Sequence, residues 1–222
     1  MIGDRCRLSW PEEPDYPLIA GWLRPTSMTA GLTGDTSEIV TAASVRELNE
    51  SGRVRYLMVH TVDGRPVGVV NYRRTGVAAG SFAIGGAIGD EQRWGTGIGF
   101  EALRLLVDHL FHGENAHRVE FATAAYNRHT MAMLTKGGFV LEGVLRDYHY
   151  LDGTYHDRTV WAILREEFER GAVTYRDRFP VRDAVPQADK EHARACLVTY
   201  LAGDPPTSIG SVTHRPAPAR AY

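Results

Sequence analysis

No proline falls between Pro66 and Pro180, while six of the eleven lie from Pro180 onward. Proline fixes φ and removes a backbone donor, so helix interiors and central strands exclude it. The middle of the chain is therefore free to form unbroken regular structure, and the end is not. At ~100–200 residues per domain, 222 residues make one domain with an appendage or two small ones. We expect one domain over 1–170 and an extension over 171–222, partly helical and proline-rich at its end, that docks on the domain, closes a site or makes an oligomer contact.

Short alternating or β-branched runs closed by turn residues mark strands at 5–10, 55–62, 67–73, 81–88, 118–125, 139–151 and 154–164. Asp63-Gly64 and Asp152-Gly153 separate two pairs of these runs and predict hairpins, since Asp-Gly favours positive φ. Leu103, Leu106, Val107, Leu110 and Phe111 recur at helical spacing over 100–112. A second helix over 128–136 ends at Gly137-Gly138. Shorter helices are expected at 15–23 and 42–49, with another at 188–201. The resulting order is βααβββαβαββ.

Apolar residues make up 43% and charged residues 23%, and 25 basic against 27 acidic side chains leave a net charge of −2. A duplex-binding protein would carry a basic excess, so no nucleic-acid partner is expected. No apolar run approaches the ~20 residues of a membrane span, and Asp4, Arg5 and Arg7 stand where a signal peptide needs an apolar stretch. We expect a cytoplasmic protein with no membrane partner. Cys6 and Cys196 match neither a zinc spacing nor a disulfide framework, so no metal site is expected.

Chemistry concentrates at Gln92-Arg93-Trp94-Gly95-Thr96-Gly97-Ile98-Gly99, between the fourth strand and the long helix. Three glycines at alternate positions let bare N–H groups approach a ligand, and the helix N-terminus adds partial positive charge. This is a cradle for pyrophosphate, or else a ligand-free glycine turn. It is no P-loop, because no Gly-Lys-Ser/Thr follows, and hairpins rather than a βαβ unit precede it.

In that setting the segment resembles the acyl-coenzyme A loop of the GCN5-related N-acetyltransferases (GNAT), Gln/Arg-x-x-Gly-x-Gly/Ala. Asn127-Arg128-His129-Thr130, Gly138-Phe139, Glu142-Gly143 and the hairpin from Tyr150 to Asp157 are similar to signatures of its RimJ/RimL-like branch. The resemblance spans roughly residues 4–168. It implies an α/β (α+β) fold: a mixed, mostly antiparallel seven-stranded sheet splayed between strands 4 and 5, with about four flanking helices. It also implies transfer of an acyl group, acetyl first, from a coenzyme A (CoA) thioester to an amine of a small molecule or peptide N-terminus.

By the same resemblance, residues 92–99 and Asn127 bind the acyl donor, and a backbone N–H at Ala87 or Ile88 holds the oxyanion where Gly85-Gly86 would permit a bulge. His149 is the expected base, since imidazole titrates near pH ~6.5. Strand alternation puts Asp147 on its face to orient it, with Glu91, Glu142 and His129 as weaker candidates. Thr130 faces the thioester sulfur. Asn127 and Thr130 could equally cap their helix. Other branches carry a general-acid tyrosine where this chain has Leu134, leaving Thr130, Tyr126 or water to protonate the thiolate, or the thiolate to leave unprotonated. Glu12, Glu13 and Asp15 could attract a cationic acceptor, or form a solvated loop; Trp22, Tyr148 and Tyr150 could line an acceptor cleft, or serve as core.

Within the loop only Arg93 is charged, Thr96 standing where a basic residue is frequent. A carrier protein's phosphopantetheine thioester, in a biosynthetic pathway, is therefore an alternative donor. A non-catalytic acyl-CoA sensor is a further alternative, and a homodimer is left open.

Overall fold

The computed structural model describes residues 1–33, 39–76, 80–176 and 185–203. The chain divides into two units, Met1–Phe179 and Pro180–Tyr222. The first runs β1 (Cys6–Ser9), α1 (Asp15–Trp22), α2 (Met28–Thr33), α3 (Ala42–Glu50), β2 (Arg55–Thr61), β3 (Pro66–Arg74), β4 (Ser81–Ile88), a 3-10 turn (Glu91–Arg93) and α4 (Ile98–His112). It continues β5 (Arg118–Ala124), α5 (Arg128–Lys136), β6 (Val140–Leu151), β7 (Thr154–Leu164) and α6 (Arg165–Arg176). The second unit contains α7 (Gln187–Ala202), which follows Pro186 and stops before Gly203. The prolines at 205, 206, 216 and 218 lie outside the described residues.

One sheet holds all seven strands in the order β1-β2-β3-β4-β5-β7-β6. Only β4 and β5 run parallel, because α4 carries the chain back between them. Their pairing covers Ser81↔Arg118 to Ile84↔Phe121 and goes no further, so the C-terminal half of β4 is unpaired on that side. That opening is the splay the resemblance implies.

Both hairpins form at the Asp-Gly pairs. Asp152 and Gly153 take φ of +51° and +80°, the mirror-image turn Asp-Gly favours. At Asp63-Gly64 only the glycine is left-handed, and the loop is wider: Gly64 N–H donates to Thr61 O and Thr61 N–H to Arg65 O, both at 2.9 Å.

Side-chain alternation gives the sheet two buried faces. Phe82, Ile84 and Phe121 pack on the α4 stripe of Ala102, Leu103, Leu106 and Leu110. Met58, Val69 and Ala87 point the other way, onto Tyr16 and Ile19 of α1 and Val45 of α3. Leu106 and Leu110 are fully buried, and truncating either to Ala would cost about 2–5 kcal/mol.

Several expectations are corrected. The register of β3 on β4 is unbroken from Gly68↔Ile88 to Arg74↔Phe82, so β4 has no bulge. Its glycines permit close packing instead: a Cβ on Gly86 would stand 2.9 Å from Val70 Cγ1, and one on Gly85 3.2 Å from Asn71 Oδ1. Bulges lie in β2–β3 at Val59/His60 and in β6–β7. Between Leu145↔Arg158 and His149↔His156, three residues of β6 face Asp157 alone. Asp147 sits there at φ +51°, its N–H donating to Asp157 Oδ1 at 3.0 Å, so the alternation meant to align Asp147 with His149 is interrupted.

Two helices in the first unit were not anticipated. α2, Met-Thr-Ala-Gly-Leu-Thr, is too short to show periodicity, and starts because the Ser27 hydroxyl accepts from Ala30 N–H at 3.0 Å. α6 opens with charged residues around Phe168, whose ring stacks on Phe111 at 4.8 Å.

Candidate active site

The glycine loop is shaped by its own backbone. Gly95 and Gly97 take φ of +75° and +88°, and Gly97 is the residue from which α4 starts. The N–H groups of the first helical turn have no partner within the helix and carry its positive dipole end. Trp94 ties the loop to β4, its Nε1 donating to Ile88 O at 2.7 Å. Arg5 Nη1 donates to Thr96 O at 3.0 Å, and Thr96 Oγ1 to Arg93 O at 2.6 Å.

A buried carboxylate braces this end of α4. Glu101, 3% exposed, accepts from Asp4 N–H at 3.1 Å and from Arg5 and Cys6 N–H at 2.7 Å each. It pins the N-terminal segment, and with it Arg5, behind the loop. Burial, reinforced by the Glu101 charge, pushes the Cys6 thiol far above its ordinary range. The sequence offered one signal for this residue: an acid in the first turn of an otherwise apolar stripe.

Which amides face the strand gap follows from the ladder. At its two ends Thr75 N–H donates to Ser81 O at 3.0 Å and Gly89 N–H to Val67 O at 2.9 Å. Both pairs share the register of Val69↔Ala87, so odd-numbered residues of β4 turn their N–H and C=O groups into β3. Even-numbered ones turn toward β5. Gly86 and Ile88 lie beyond the last β5 pair and present their amides to the gap, whereas the Ala87 amide is directed at β3.

A cavity of about 560 Å³ joins the loop to this gap. Gly85, Gly86, Ala87 and Ile88 form one wall, Phe100 and Leu103 of α4 another, and Arg93, Trp94, Gly95, Gly97 and Gly99 the mouth. α5 adds Asn127, Arg128, His129, Thr130 and Lys136. Arg128 and Lys136 thus join Arg93 as cations on a groove where only Arg93 was anticipated. Thr29 and Leu32 of α2 also line it. Gln92, Thr96 and Ile98 shape the loop without lining the cavity.

Asn127 caps α5, its Oδ1 accepting from Thr130 N–H at 3.1 Å, while its Nδ2 donates to Leu32 O at 3.0 Å. Tyr126 donates from its hydroxyl to Gly31 O at 2.6 Å. Leu134 is fully buried in the core.

His149 and Asp147 are not among the cavity-lining residues. His149 is 7% exposed and lies opposite His156, whose ring meets Tyr126 at 4.9 Å. Glu142 is gripped by Arg118, Nη1 to Oε1 at 2.6 Å, which holds its carboxyl below the ordinary range. Glu91 is exposed, outside the cavity. Glu13 pairs with Arg46, and the Asp15 carboxylate accepts from Glu12 N–H at 2.8 Å, so this loop is tied up locally. Trp22 covers Gly89, where a Cβ would stand 2.0 Å from its ring. Tyr148 and Tyr150 are more than half exposed, the first under Arg158 at 4.7 Å and the second beside Tyr155 at 5.1 Å.

Comparison with known proteins agrees with this fold. The probable N-acetyltransferase YjcK of Bacillus subtilis is 35% identical over 108 residues, 49% of this chain and 60% of that protein. The [ribosomal protein uS5]-alanine N-acetyltransferase of Escherichia coli is 28% identical over 132 residues, 57% of this chain and 66% of that one. The matches thus span about 60% and 66% of these curated relatives. Among solved structures, spermidine N-acetyltransferase from Vibrio cholerae in complex with CoA and spermine shares the fold, with a TM-score of 0.65 at 19% identity over 74% of this chain and 98% of that one. Ribosomal-protein-S5-alanine acetyltransferase from Vibrio fischeri does so with a TM-score of 0.62 at 21% identity over 76% and 99%. The family model for the acetyltransferase (GNAT) domain matches residues 5–140, and with that match over more than half its length the chain belongs to the GNAT family.

Proposed function

We propose that this protein is an N-acyltransferase, moving an acetyl group from the thioester of coenzyme A directly to an amine of a small molecule or a peptide N-terminus. The observation that carries the reading is the single cavity joining the glycine cradle at the α4 N-terminus to the strand gap where the Ile88 amide is presented. A pyrophosphate fits the cradle, and Arg93, Arg128 and Lys136 supply the positive charge that a donor with a nucleotide end needs. Those cations favour free CoA over a carrier-protein arm.

In the reaction the neutral amine attacks the thioester carbonyl. The oxyanion then accepts from the Ile88 N–H, whose own carbonyl is fixed by Trp94. Collapse breaks the carbon–sulfur bond and the thiolate leaves with the donor. Water protonates it, directly or through the Thr130 hydroxyl, which passes on one proton as it receives another. The His156 imidazole packs on Tyr126, which bonds Gly31 O of α2, and we assign the amine proton, through water, to His149, which lies opposite His156 in the β6–β7 ladder. Two relatives bear names that give acceptor chemistry, a ribosomal-protein alanine and spermidine.

The test incubates the protein with acetyl-CoA and either spermidine or a peptide beginning with alanine, and follows product by mass spectrometry. Acetylated amine with equimolar free CoA is expected. Tight CoA binding without product from any amine would make the protein a sensor instead.

A further inference from the structure

Resting on that acyl-CoA reading, we infer that α2 gauges the acyl group: Leu32 and Thr29 are the wall that stops the donor's acyl tail, so the cavity takes acetyl and refuses longer straight chains. The cavity is lined by the cradle, by Gly85 to Ile88 in the strand gap and by these two side chains of α2, which packs against β4 and β5. A donor held at the loop by its pyrophosphate and threaded through the gap meets α2 with its acyl end.

A wall selects by length only if it is held in place, and this one is held from the far side of the sequence. Tyr126 Oη donates to Gly31 O at 2.6 Å and Asn127 Nδ2 to Leu32 O at 3.0 Å, both across 95 residues. At the other end the Ser27 hydroxyl bonds Ala30 N–H at 3.0 Å and Trp22 O at 2.9 Å. Thr29, Ala30 and Asn127 are each 8% exposed or less. The backbone carrying Leu32 is thus fixed directly to the helix that carries Thr130, and both side chains line the same cavity. The two latching residues position the wall and need not touch the acyl group.

Calorimetric titration with CoA, acetyl-CoA, butyryl-CoA and hexanoyl-CoA tests this without an acceptor. The wild type should bind acetyl-CoA at least ~10-fold more tightly than hexanoyl-CoA, the discrimination a methylene-scale wall provides. Leu32→Ala should bring butyryl-CoA and hexanoyl-CoA to within about threefold of acetyl-CoA while leaving CoA affinity unchanged. Leu32→Phe should weaken acetyl-CoA and spare CoA, and Tyr126→Phe should relax the length preference part of the way. If wild type and Leu32→Ala bind CoA alike and keep the same ratio among the acyl-CoAs, the gauge is elsewhere and the inference fails. If the wild type binds no CoA at all, the acyl-CoA reading itself falls.

Discussion

The two ends of the cavity are built by opposite means. The mouth, residues 92–99 and the start of α4, is a backbone device, in which two left-handed glycines expose amides and a helix dipole adds charge. The far end is a side-chain device, in which a six-residue helix is held by Tyr126 and Asn127, bonded across 95 residues. The mouth can be built from one contiguous segment. The far end exists only once the sheet has brought distant segments together.

Breaking the brace behind the mouth should have the largest effect. Glu101→Ala leaves three buried or half-buried amides without their acceptor, at about 3 kcal/mol or more, a fall in Tm of roughly 6–12 °C for a chain of this size. Thermal unfolding measures it, and a fall of under 2 °C on that scale would mean the N-terminal segment is not held by Glu101. On the other side, His149→Ala should lower turnover by ~100-fold or more with acetyl-CoA affinity intact. Unchanged turnover would remove His149 from the reaction and leave His156 to be tried.

Asn127 both caps α5 and latches α2, so Asn127→Ala tests the side-chain device alone. Losing the α5 cap and the α2 latch together should cost about 2 kcal/mol in denaturant unfolding. If α2 is held as described, the variant should also lose acyl-length preference before it loses CoA affinity.

The smallest effect lies away from the cavity. His112 at the C-terminus of α4 has its pKa raised by a hydrogen bond to Asp108 at 3.1 Å, against the opposing effect of burial. A raised folded pKa gives stability that is fully present below the ordinary histidine value of ~6.5 and is lost as pH rises through the folded value. Asp108→Asn should therefore destabilise at pH 5.5 by a few tenths of a kcal/mol, given the half-exposed ring, and by nothing measurable at pH 9. An equal loss at both would remove the ion pair from the account.

The same division explains what could be read before the fold was known. Strands, both hairpins and the α4 stripe follow from local periodicity and Asp-Gly turns. The glycine loop at the start of α4 could be placed because its geometry needs only glycine spacing and a following helix. Reading Ala87 as an oxyanion donor required knowing which residues of β4 pair with β3, a property of the partner strand. Aligning Asp147 with His149 assumed an unbroken alternation, which the β6 bulge interrupts. α2 has no periodicity to announce it, and Tyr126 and Asn127 gave no sign that their partners lie at 31 and 32.

A thermal-shift titration with coenzyme A and acetyl-CoA, on the wild type and on Gly97→Glu, decides whether the glycine loop seats the donor. Ligand at 100 times its Kd should add ~2.7 kcal/mol and raise the wild-type Tm by roughly 5–10 °C. The variant, which puts a side chain and a negative charge at φ +88° on the cradle, should show no rise. A wild type indifferent to both ligands, or a variant that responds as fully as the wild type, would contradict the assignment of this loop as the seat of a free CoA donor.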